Sequence, residues 1–377
     1  MPSHGSLRWG LVLGTLWQSF FSTGIVFGWA GLLLLLKDGG VYSELCPAQT
    51  AAGPVVAICS ARSVALNLIF SSGAVTAQAS GVVVGSVLDC FGPRKTMMLG
   101  NALVIVGSLL FAETPGHTVD RWALPLAYAL FGFGGNMIHL SGFSLANLFP
   151  SDRRPTLVAT LVMTFTLSGF TFQLMLLANM HFGMSLHVLF RLLAGLQGSH
   201  LLVSATQWPS LPLQPGDQLS VDGWRIAVAP ADSGTTRTLG RPSTSTQAQA
   251  SVHMLDRNEQ ADPKPSTSAA DIAKHATVEV APYGALPVHK QLRHPEFVFL
   301  TVFFAVLSFT LRFYMGAVRE QLMQGVSVHA DAASASGTVL IDLQAEEDEI
   351  DLLVEVFNVI IALGFACVPL YTCIVDR

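Results

Sequence analysis

The sequence predicts an all-α membrane protein, and three observations carry that prediction. Of the 377 residues, 51% are hydrophobic and only 12% are charged, with a mean hydropathy of +0.52, whereas soluble domains carry about a quarter charged residues. Apolar stretches of roughly twenty residues, the length that crosses a bilayer, recur along the chain. One long polar interval separates six of these stretches from two more.

Eight apolar segments are predicted to span the membrane. The first is too long for a signal-peptide core and lacks a cleavage site, so we interpret it as a retained helix. The predicted segments are Trp9–Leu36, Ser63–Leu88, Thr96–Ala112, Trp122–Leu148, Thr156–Met180, Leu186–Ala205, Phe297–Val318 and Leu352–Val375.

The basic residues between these segments predict which loops face the cytosol. Five of them fall on one set of loops if the amino terminus is inside, and three fall on the other set, which favours that orientation. The first set is Arg8, Arg94, Lys95, Arg153 and Arg154, and the second is Lys37, Arg62 and Arg121. The net charge of -5 argues against a nucleic-acid partner.

The chain is expected to have three parts. Residues 1–206 would form a six-helix transmembrane bundle, and residues 294–377 a partial second bundle of two helices with a long outer loop. Residues 207–293 are polar, rich in proline and serine, and without periodicity, so we predict a disordered cytosolic linker that cannot bury enough apolar surface to fold.

Acidic residues cluster between Asp342 and Asp351, just before the eighth segment. The partial positive charge at the amino-terminal end of that helix would stabilise these carboxylates. Alternatively, they would form a vestibule that attracts cations. Cys46 and Cys59 lie in the first outer loop, where an oxidising compartment permits a disulfide. The Cys and His spacings indicate no metal site, and no cofactor is expected.

A charged loop joins the second and third segments. It reads Gly85-Ser-Val-Leu-Asp89-Cys-Phe-Gly92-Pro-Arg94-Lys95, with an acid, a tight Gly-Pro turn and two cations at one membrane face. Asp89 would follow the carboxyl end of a helix, where the backbone dipole is already negative. A cation such as Arg94, brought back by the turn, would stabilise the carboxylate.

This loop resembles the motif between the second and third helices of the major facilitator superfamily, although Cys90 stands where a cation is usual. The resemblance implies a complete N-terminal six-helix bundle plus the first two helices of a C-terminal bundle. It also implies that Asp89 forms part of a gating latch with the second half. Ile374-Val-Asp376-Arg377 echoes the start of the same motif, so we interpret the chain as truncated after the eighth helix. Missing C-terminal helices or a partner chain would then complete the pathway.

Further stretches are similar to solute carrier family 43. They are Gly28-Trp-Ala-Gly-Leu, Leu36-Lys-Asp-Gly-Gly-Val-Tyr-Ser-Glu-Leu-Cys46, Asn147-Leu-Phe149 with Arg154-Pro-Thr156, and Phe313-Tyr-Met-Gly316. Members of that family are sodium-independent facilitators of large neutral amino acids, with a nucleobase-transporting branch. The resemblance therefore implies a transporter of neutral amino acids or nucleobases that works by alternating access. No carboxylate lies deep in a predicted span to couple transport to protons or sodium, which favours uniport.

In the resembled superfamily, spans one, four, seven and ten line the central pathway. Polar groups within spans usually face a cavity or the bundle interior. The candidate substrate-binding residues are Ser22, Gly24, Asn136, His139, Arg312 and Tyr314, and the gating-loop residues are Gly85, Asp89, Gly92, Arg94 and Lys95. Each has a structural alternative, since small polar side chains also bind their own helix or pack between helices.

The predicted protein is thus an integral, multi-pass membrane protein, in the plasma membrane rather than an internal one, and not an enzyme. Two alternatives remain. A truncated, non-transporting regulator would pair with an intact relative. An intramembrane serine protease would use Gly142-Phe-Ser144-Leu with His200, but Leu145 replaces the second glycine of the rhomboid signature.

Overall fold

A computed structural model of the chain describes residues 4–46, 60–113, 122–210, 213, 217–222 and 225–229, together with isolated positions between 294 and 356. The chain divides into two units, Met1–Gly240 with Gly316–Arg377, and Arg241–Met315. In the second unit the described positions from residue 295 onward are helical and exposed, and Thr310 donates to the Val306 carbonyl as a helical residue does.

The first unit is mainly helical. Short 3₁₀ turns at Ile25–Phe27, Ser43–Leu45 and Ser144–Leu148 interrupt or extend its helices. The helices and strands are α1 (His4–Ser22), α2 (Trp29–Asp38), α3 (Ser60–Ala112), α4 (Ala123–Phe143), α5 (Arg154–Leu167), α6 (Phe170–Phe182), α7 (Leu186–Gln207), β1 (Gln218–Asp222) and β2 (Arg225–Ala229).

Four segments of the described chain are long and apolar enough to cross a membrane: Val83–Ala112, Ala123–Leu148, Arg154–Phe182 and Leu186–Gln207. They overlap the third to sixth predicted spans. Two predicted spans differ from the structure, which divides the first into α1 and α2 and the fifth into α5 and α6. The arrangement of six helices followed by two stays a prediction, because most of the last two spans lies outside the described residues.

Helix α3 contains the second and third predicted spans, folded back on each other at Gly92. Gly92 has φ 79° and ψ 168°, a conformation that a side chain disfavours, and Pro93 starts the second arm. Thr76 in the first arm donates to the Ala129 carbonyl at 3.1 Å, and Phe111 in the second arm stacks on Phe131 at 5.5 Å. On a straight helix these two positions would lie about 50 Å apart, so the two arms run antiparallel to each other and both pack against α4.

An aromatic cluster fills the interface of these helices. Its rings lie 4.6–6.4 Å apart, in stacked and edge-on pairs that add to the stability of the core. The members come from α2, α3, α4, α6 and α7, and are Trp29, Phe111, Tyr128, Phe131, Phe172 and Phe190.

Strands β1 and β2 pair antiparallel as a hairpin inside the range predicted to be disordered, so the structure differs from that expectation over Gln218–Asp222 and Arg225–Ala229. Leu219 and Ile226 are buried, and the hairpin contacts α1 and α7. The alternation of Leu219, Val221, Ile226 and Val228 around Asp-Gly is a hairpin signal. The composition of the surrounding sequence, which is rich in proline and serine, outweighed this pattern in the prediction of a disordered linker. Most of the rest of the predicted linker lies outside the described residues.

The loop after α2 is fixed at two points. Arg62 donates to the Val41 carbonyl at 2.9 Å and to the Lys37 carbonyl at 3.0 Å. Cys46 is disulfide-bonded, whereas Cys90, the other cysteine among the described residues, is free and exposed. The predicted partner, Cys59, lies outside the described residues.

We expect Cys46→Ser to lower the thermal unfolding midpoint of the purified protein, because a lost disulfide costs about 2–5 kcal/mol. Cys90→Ser is the matched control and should leave the midpoint unchanged. Differential scanning fluorimetry in detergent measures both. Equal midpoints for the two variants would contradict a stabilising role for the disulfide.

Candidate functional site

The first predicted membrane segment is interrupted between Ser22 and Trp29. An interruption exposes backbone carbonyls, and lipid offers them no hydrogen-bond donor. Three side chains from other helices supply the donors: Thr171 Oγ1 to the Phe20 carbonyl at 3.0 Å, Gln197 Nε2 to the Phe21 carbonyl at 2.8 Å, and the Tyr128 hydroxyl to the Val26 carbonyl at 2.8 Å. Hydrogen bonds from α4, α6 and α7 therefore hold the interruption in place.

A second interruption, at Ser168–Gly169, separates α5 from α6 and faces the first. The Gly24 N–H donates to Ser168 Oγ at 2.6 Å. A Cβ added to Gly28 would overlap the Gly169 carbonyl oxygen, and one added to Gly24 would overlap the Phe165 carbonyl oxygen. The two interruptions thus touch through backbone atoms, which only glycine permits at Gly24 and Gly28.

Two helices begin beside this contact. Helix α2 starts at Trp29 after Gly28, and α6 starts at Phe170 after Gly169. The amino-terminal end of a helix carries unpaired N–H groups and a partial positive charge. Two such ends side by side make this a favourable position for an anionic group, although at the start of α6 the Thr171 N–H already donates to the Ser168 carbonyl at 3.0 Å.

A half-buried surface lies next to the interruptions, and we call it the interruption face. It consists of Phe27, Asn136, His139 and Phe165. The Phe165 ring lies 5.6 Å from the Phe27 ring and 4.4 Å from the His139 ring. His139 Nδ1 is buried and has no hydrogen-bond partner among the described residues. The face therefore combines aromatic rings with one unsatisfied ring nitrogen.

The structure locates the predicted substrate-binding residues as follows. Gly24, Asn136 and His139 lie at the interruptions or on the interruption face. Ser22 is fully buried behind it and donates to Gln197 Oε1 at 2.8 Å. Asn136 Nδ2 donates to Ser80 Oγ at 2.8 Å and to the Ala77 carbonyl at 3.2 Å. Tyr314 is an exposed helical position of the second unit, and Arg312 lies outside the described residues.

The gating-loop residues lie around the bend of α3. Gly92 is the bend itself, Asp89 and Lys95 are exposed, and Gly85 is half-buried in the first arm. Arg94 Nε donates to the carbonyl of Trp208, the residue that follows α7. Asn147 Nδ2 donates to the Leu213 carbonyl at 3.0 Å nearby. The bend is thereby tied to the segment that leads into the hairpin, and we call this end of the bundle the Arg94 end.

We expect Arg94→Gln to loosen the hairpin, because a hydrogen bond from a charged group contributes about 1.5–3 kcal/mol. Hydrogen exchange of the hairpin amides should be faster by about tenfold or more, since 1.4 kcal/mol corresponds to a factor of ten. Lys95→Gln, at the exposed neighbouring position, is the control. Unchanged exchange in Arg94→Gln would show that the hairpin is held by its apolar contacts alone.

The residues of the protease alternative do not form a catalytic pair in the described structure. Ser144 Oγ donates to the Ser141 carbonyl of its own helix at 2.7 Å, and His200 Nδ1 lies 3.3 Å from Gln197 Oε1. A nucleophilic serine requires its base within hydrogen-bond reach. Ser144 and His200 therefore each have a hydrogen-bond partner other than the one that a catalytic pair requires. The acidic cluster before the eighth segment lies outside the described residues, apart from Ile350.

Sequence reasoning missed several residues that build this region. Gln197, Thr171, Ser168 and Tyr128 each hold the interruptions by one hydrogen bond or more. Gln197 carried a signal, since a lone amide within an apolar span is costly in lipid unless it binds a partner. The others resemble ordinary residues of a membrane helix.

The chain is similar in sequence to several known proteins. The chain is 35% identical over 175 residues to Protein FMP42 of Saccharomyces cerevisiae, covering 46% of this chain and 34% of that protein. It is 25% identical over 327 residues to the human Large neutral amino acids transporter small subunit 3, covering 84% of this chain and 57% of the transporter. It is 29% identical over 143 residues to Amino acid transporter 6-1 of Toxoplasma gondii, covering 35% of this chain and 25% of that one. No protein-family model matches.

The chain thus spans about a third of the yeast protein and little more than half of the human one. It is homologous to the large neutral amino acids transporters over most of its own length, which confirms the resemblance predicted from the sequence. The apolar helices and this homology together make it an integral, multi-pass membrane protein.

Proposed function

We propose that the protein is a transporter of the major facilitator type that moves neutral amino acids across a membrane by alternating access. Two relatives are named as amino acid transporters, and the chain matches one of them over 84% of its length. The observation that carries the proposal is the pair of opposed helix interruptions, which lie inside the first and fifth predicted membrane segments. Interrupted helices of this kind form substrate sites in transporters, because their ends and opened backbone bind charged groups.

The interruptions provide a place for the substrate carboxylate. An amino acid carries a carboxylate and an ammonium group at one end. The start of α2 and the start of α6 would favour the carboxylate. Gly24 lies at this point and Ser22 lies behind it, so both predicted residues keep a role in the proposal. Arg312 and Tyr314, which belong to the second unit, stay predicted substrate-binding residues.

The interruption face provides a place for a neutral side chain. Phe27 and Phe165 offer aromatic surface, and a charged side chain would lose its hydration there without an opposite charge on the face. Asn136 and His139 would hydrogen-bond the polar groups of the substrate. Asn136 would have to exchange its bond with Ser80 for one with the substrate. A nucleobase, which is flat and neutral, is the second substrate class that such a face fits.

The gating loop would control access from the Arg94 end. Its bend at Gly92 is tied through Arg94 to the end of α7, so a movement of α7 would be transmitted to the loop. Asp89 would form the latch that the resemblance implies, with Gly85 and Lys95 as further residues of the gating loop. Rocking of two bundles about a central site then alternates access, as in other transporters built from repeats.

Uptake of radiolabelled substrate tests the proposal. Oocytes that express the protein should accumulate leucine and phenylalanine saturably and without sodium, and glutamate should not compete. The Gly28→Val variant should not transport although it reaches the membrane. Failure to take up any neutral amino acid or nucleobase would contradict the proposal and would favour the non-transporting regulator.

A further inference from the structure

A buried polar cluster lies between α1, α3 and α7, apart from the interruption face. It consists of Gln18, Ser19, Asn101, His200 and Ser204, and each of these side chains is at most 5% exposed. Ser204 Oγ donates to Gln18 Oε1 at 3.4 Å, and Asn101 Nδ2 lies 3.4 Å from Ser204 Oγ. These bonds are long, so the cluster is only loosely joined.

Four atoms of the cluster have no hydrogen-bond partner among the described residues: Gln18 Nε2, Ser19 Oγ, Asn101 Oδ1 and His200 Nε2. An unpaired buried polar group costs about 1–3 kcal/mol by protein mutational data, and more where nothing else can bond to it. Surrounding lipid offers no donor or acceptor to relieve this cost. Ser204 joins Gln18 to Asn101, Ser19 is adjacent to Gln18 in sequence, and His200 lies one turn before Ser204 on α7. Four unpaired atoms on these neighbouring residues indicate a polar ligand.

A groove leads to this cluster from the Arg94 end. It has a volume of about 320 Å³ and runs between α1 and α7. Gln18 lies at one end, and Trp208 with Ile226 of the hairpin lies at the other. Gly10 and Gly14 line the α1 side and have no atom within 4 Å of where a Cβ would be. The volume far exceeds the ~10–15 Å³ that one water molecule requires.

We infer that the buried polar cluster is a hydrated site, in which water enters through this groove and binds Gln18, Asn101, Ser19 and His200. The ligand is water because the unpaired atoms include both donors and acceptors at separate positions, and water supplies both. A single rigid solute would have to match all four at once. The site is separate from the proposed substrate site.

Hydration of the cluster has a structural consequence. His200 Nδ1 lies 3.3 Å from Gln197 Oε1, and Gln197 Nε2 braces the interruption at the Phe21 carbonyl. Water bound to His200 is therefore next to Gln197, the residue that holds the interruption. The α1–α7 interface can then exchange hydrogen bonds with water when α1 moves, instead of breaking them in a dry interior.

Cysteine accessibility tests the inference without any transport assay. The full chain carrying Ser204→Cys is treated in membranes with 2-aminoethyl methanethiosulfonate, which requires water to reach and ionise the thiol. Peptide mass spectrometry follows each cysteine separately. Ser108→Cys is the matched control, because Ser108 is equally buried on α3 but donates to its own Val104 carbonyl at 2.8 Å. Native Cys90, which is exposed, is the internal positive control.

We expect the thiol introduced at position 204 to react at least an order of magnitude faster than the thiol at position 108. Adding Gly14→Leu should slow the reaction by filling the groove, whereas Gly195→Leu, at an open position of α7, should not. Ser19→Cys serves if Ser204→Cys does not fold. Thiols at positions 204 and 19 that are both as unreactive as the one at position 108 would overturn the inference.

Discussion

Replacing Gly28 by valine is expected to abolish transport and to lower the thermal unfolding midpoint by several degrees. Any Cβ at this position would overlap the backbone carbonyl of Gly169. A backbone oxygen cannot rotate away as a side chain does, so α2 and the start of α6 must separate. Overpacking costs about 1–3 kcal/mol in an ordinary core, and here it also separates the two interruptions.

Gly195→Val is the matched control for this substitution. Gly195 lies within α7, and no atom is within 4 Å of where its Cβ would be. The same change of side chain should therefore leave the midpoint and the uptake near those of the unmodified protein. Fluorescence-detected gel filtration of heated samples gives the midpoint, and leucine uptake gives the activity. If Gly28→Val and Gly195→Val behaved alike, the close contact of the interruptions would not matter for function.

Replacing Gln197 by leucine is expected to have the second largest effect. This side chain accepts a hydrogen bond from Ser22 at 2.8 Å, donates to the Phe21 carbonyl at 2.8 Å and lies 3.3 Å from His200 Nδ1. Side-chain hydrogen bonds within membranes average about 0.6 kcal/mol and reach about 1.7 kcal/mol. Loss of this set should destabilise the protein by about 1–3 kcal/mol, with the interruption as the first region to change.

A double-mutant cycle separates the contribution of the Gln197 hydrogen bonds from that of general packing. Ser22→Ala combined with Gln197→Leu should cost less than the sum of the two single changes, because both remove one shared bond. Thr166→Val is the control, since Thr166 Oγ1 donates to the Val162 carbonyl of its own helix at 3.2 Å. It should leave the midpoint nearly unchanged. Strict additivity of the Ser22 and Gln197 effects would show that the hydrogen bond between these two residues does not contribute to stability.

The sequence was sufficient for the third, fourth and sixth predicted spans, because bilayer thickness fixes the length of a membrane helix. The apolar run Leu186–Ala205, for example, agrees with α7 to within two residues at its end. The bend at Gly92 was also predictable, since Gly-Pro between two apolar runs permits little else. The interruption was harder to predict, because Gly24 and Gly28 are common residues in continuous membrane helices as well.

The partners of the interruption could not be predicted from spacing along the chain. Gln197 and Tyr128 are 175 and 102 residues from the groups they bind at Ser22 and Val26, and only the packed bundle brings them together. Asn136 was predicted to bind substrate because it is a polar residue in a span, and its observed bonds go to α3. A residue's polarity indicates that it needs a partner, and the tertiary structure determines which one.

The most direct test of the account is whether substrate binds at the interruption face. Phe27→Cys introduces a thiol there, and its alkylation rate is measured by peptide mass spectrometry with increasing leucine, using exposed Cys90 as the reference. The account predicts that leucine slows alkylation at position 27 saturably, that glutamate does not, and that Cys90 is unaffected by either. An alkylation rate at position 27 that leucine leaves unchanged, in a protein that still takes up leucine, would contradict it.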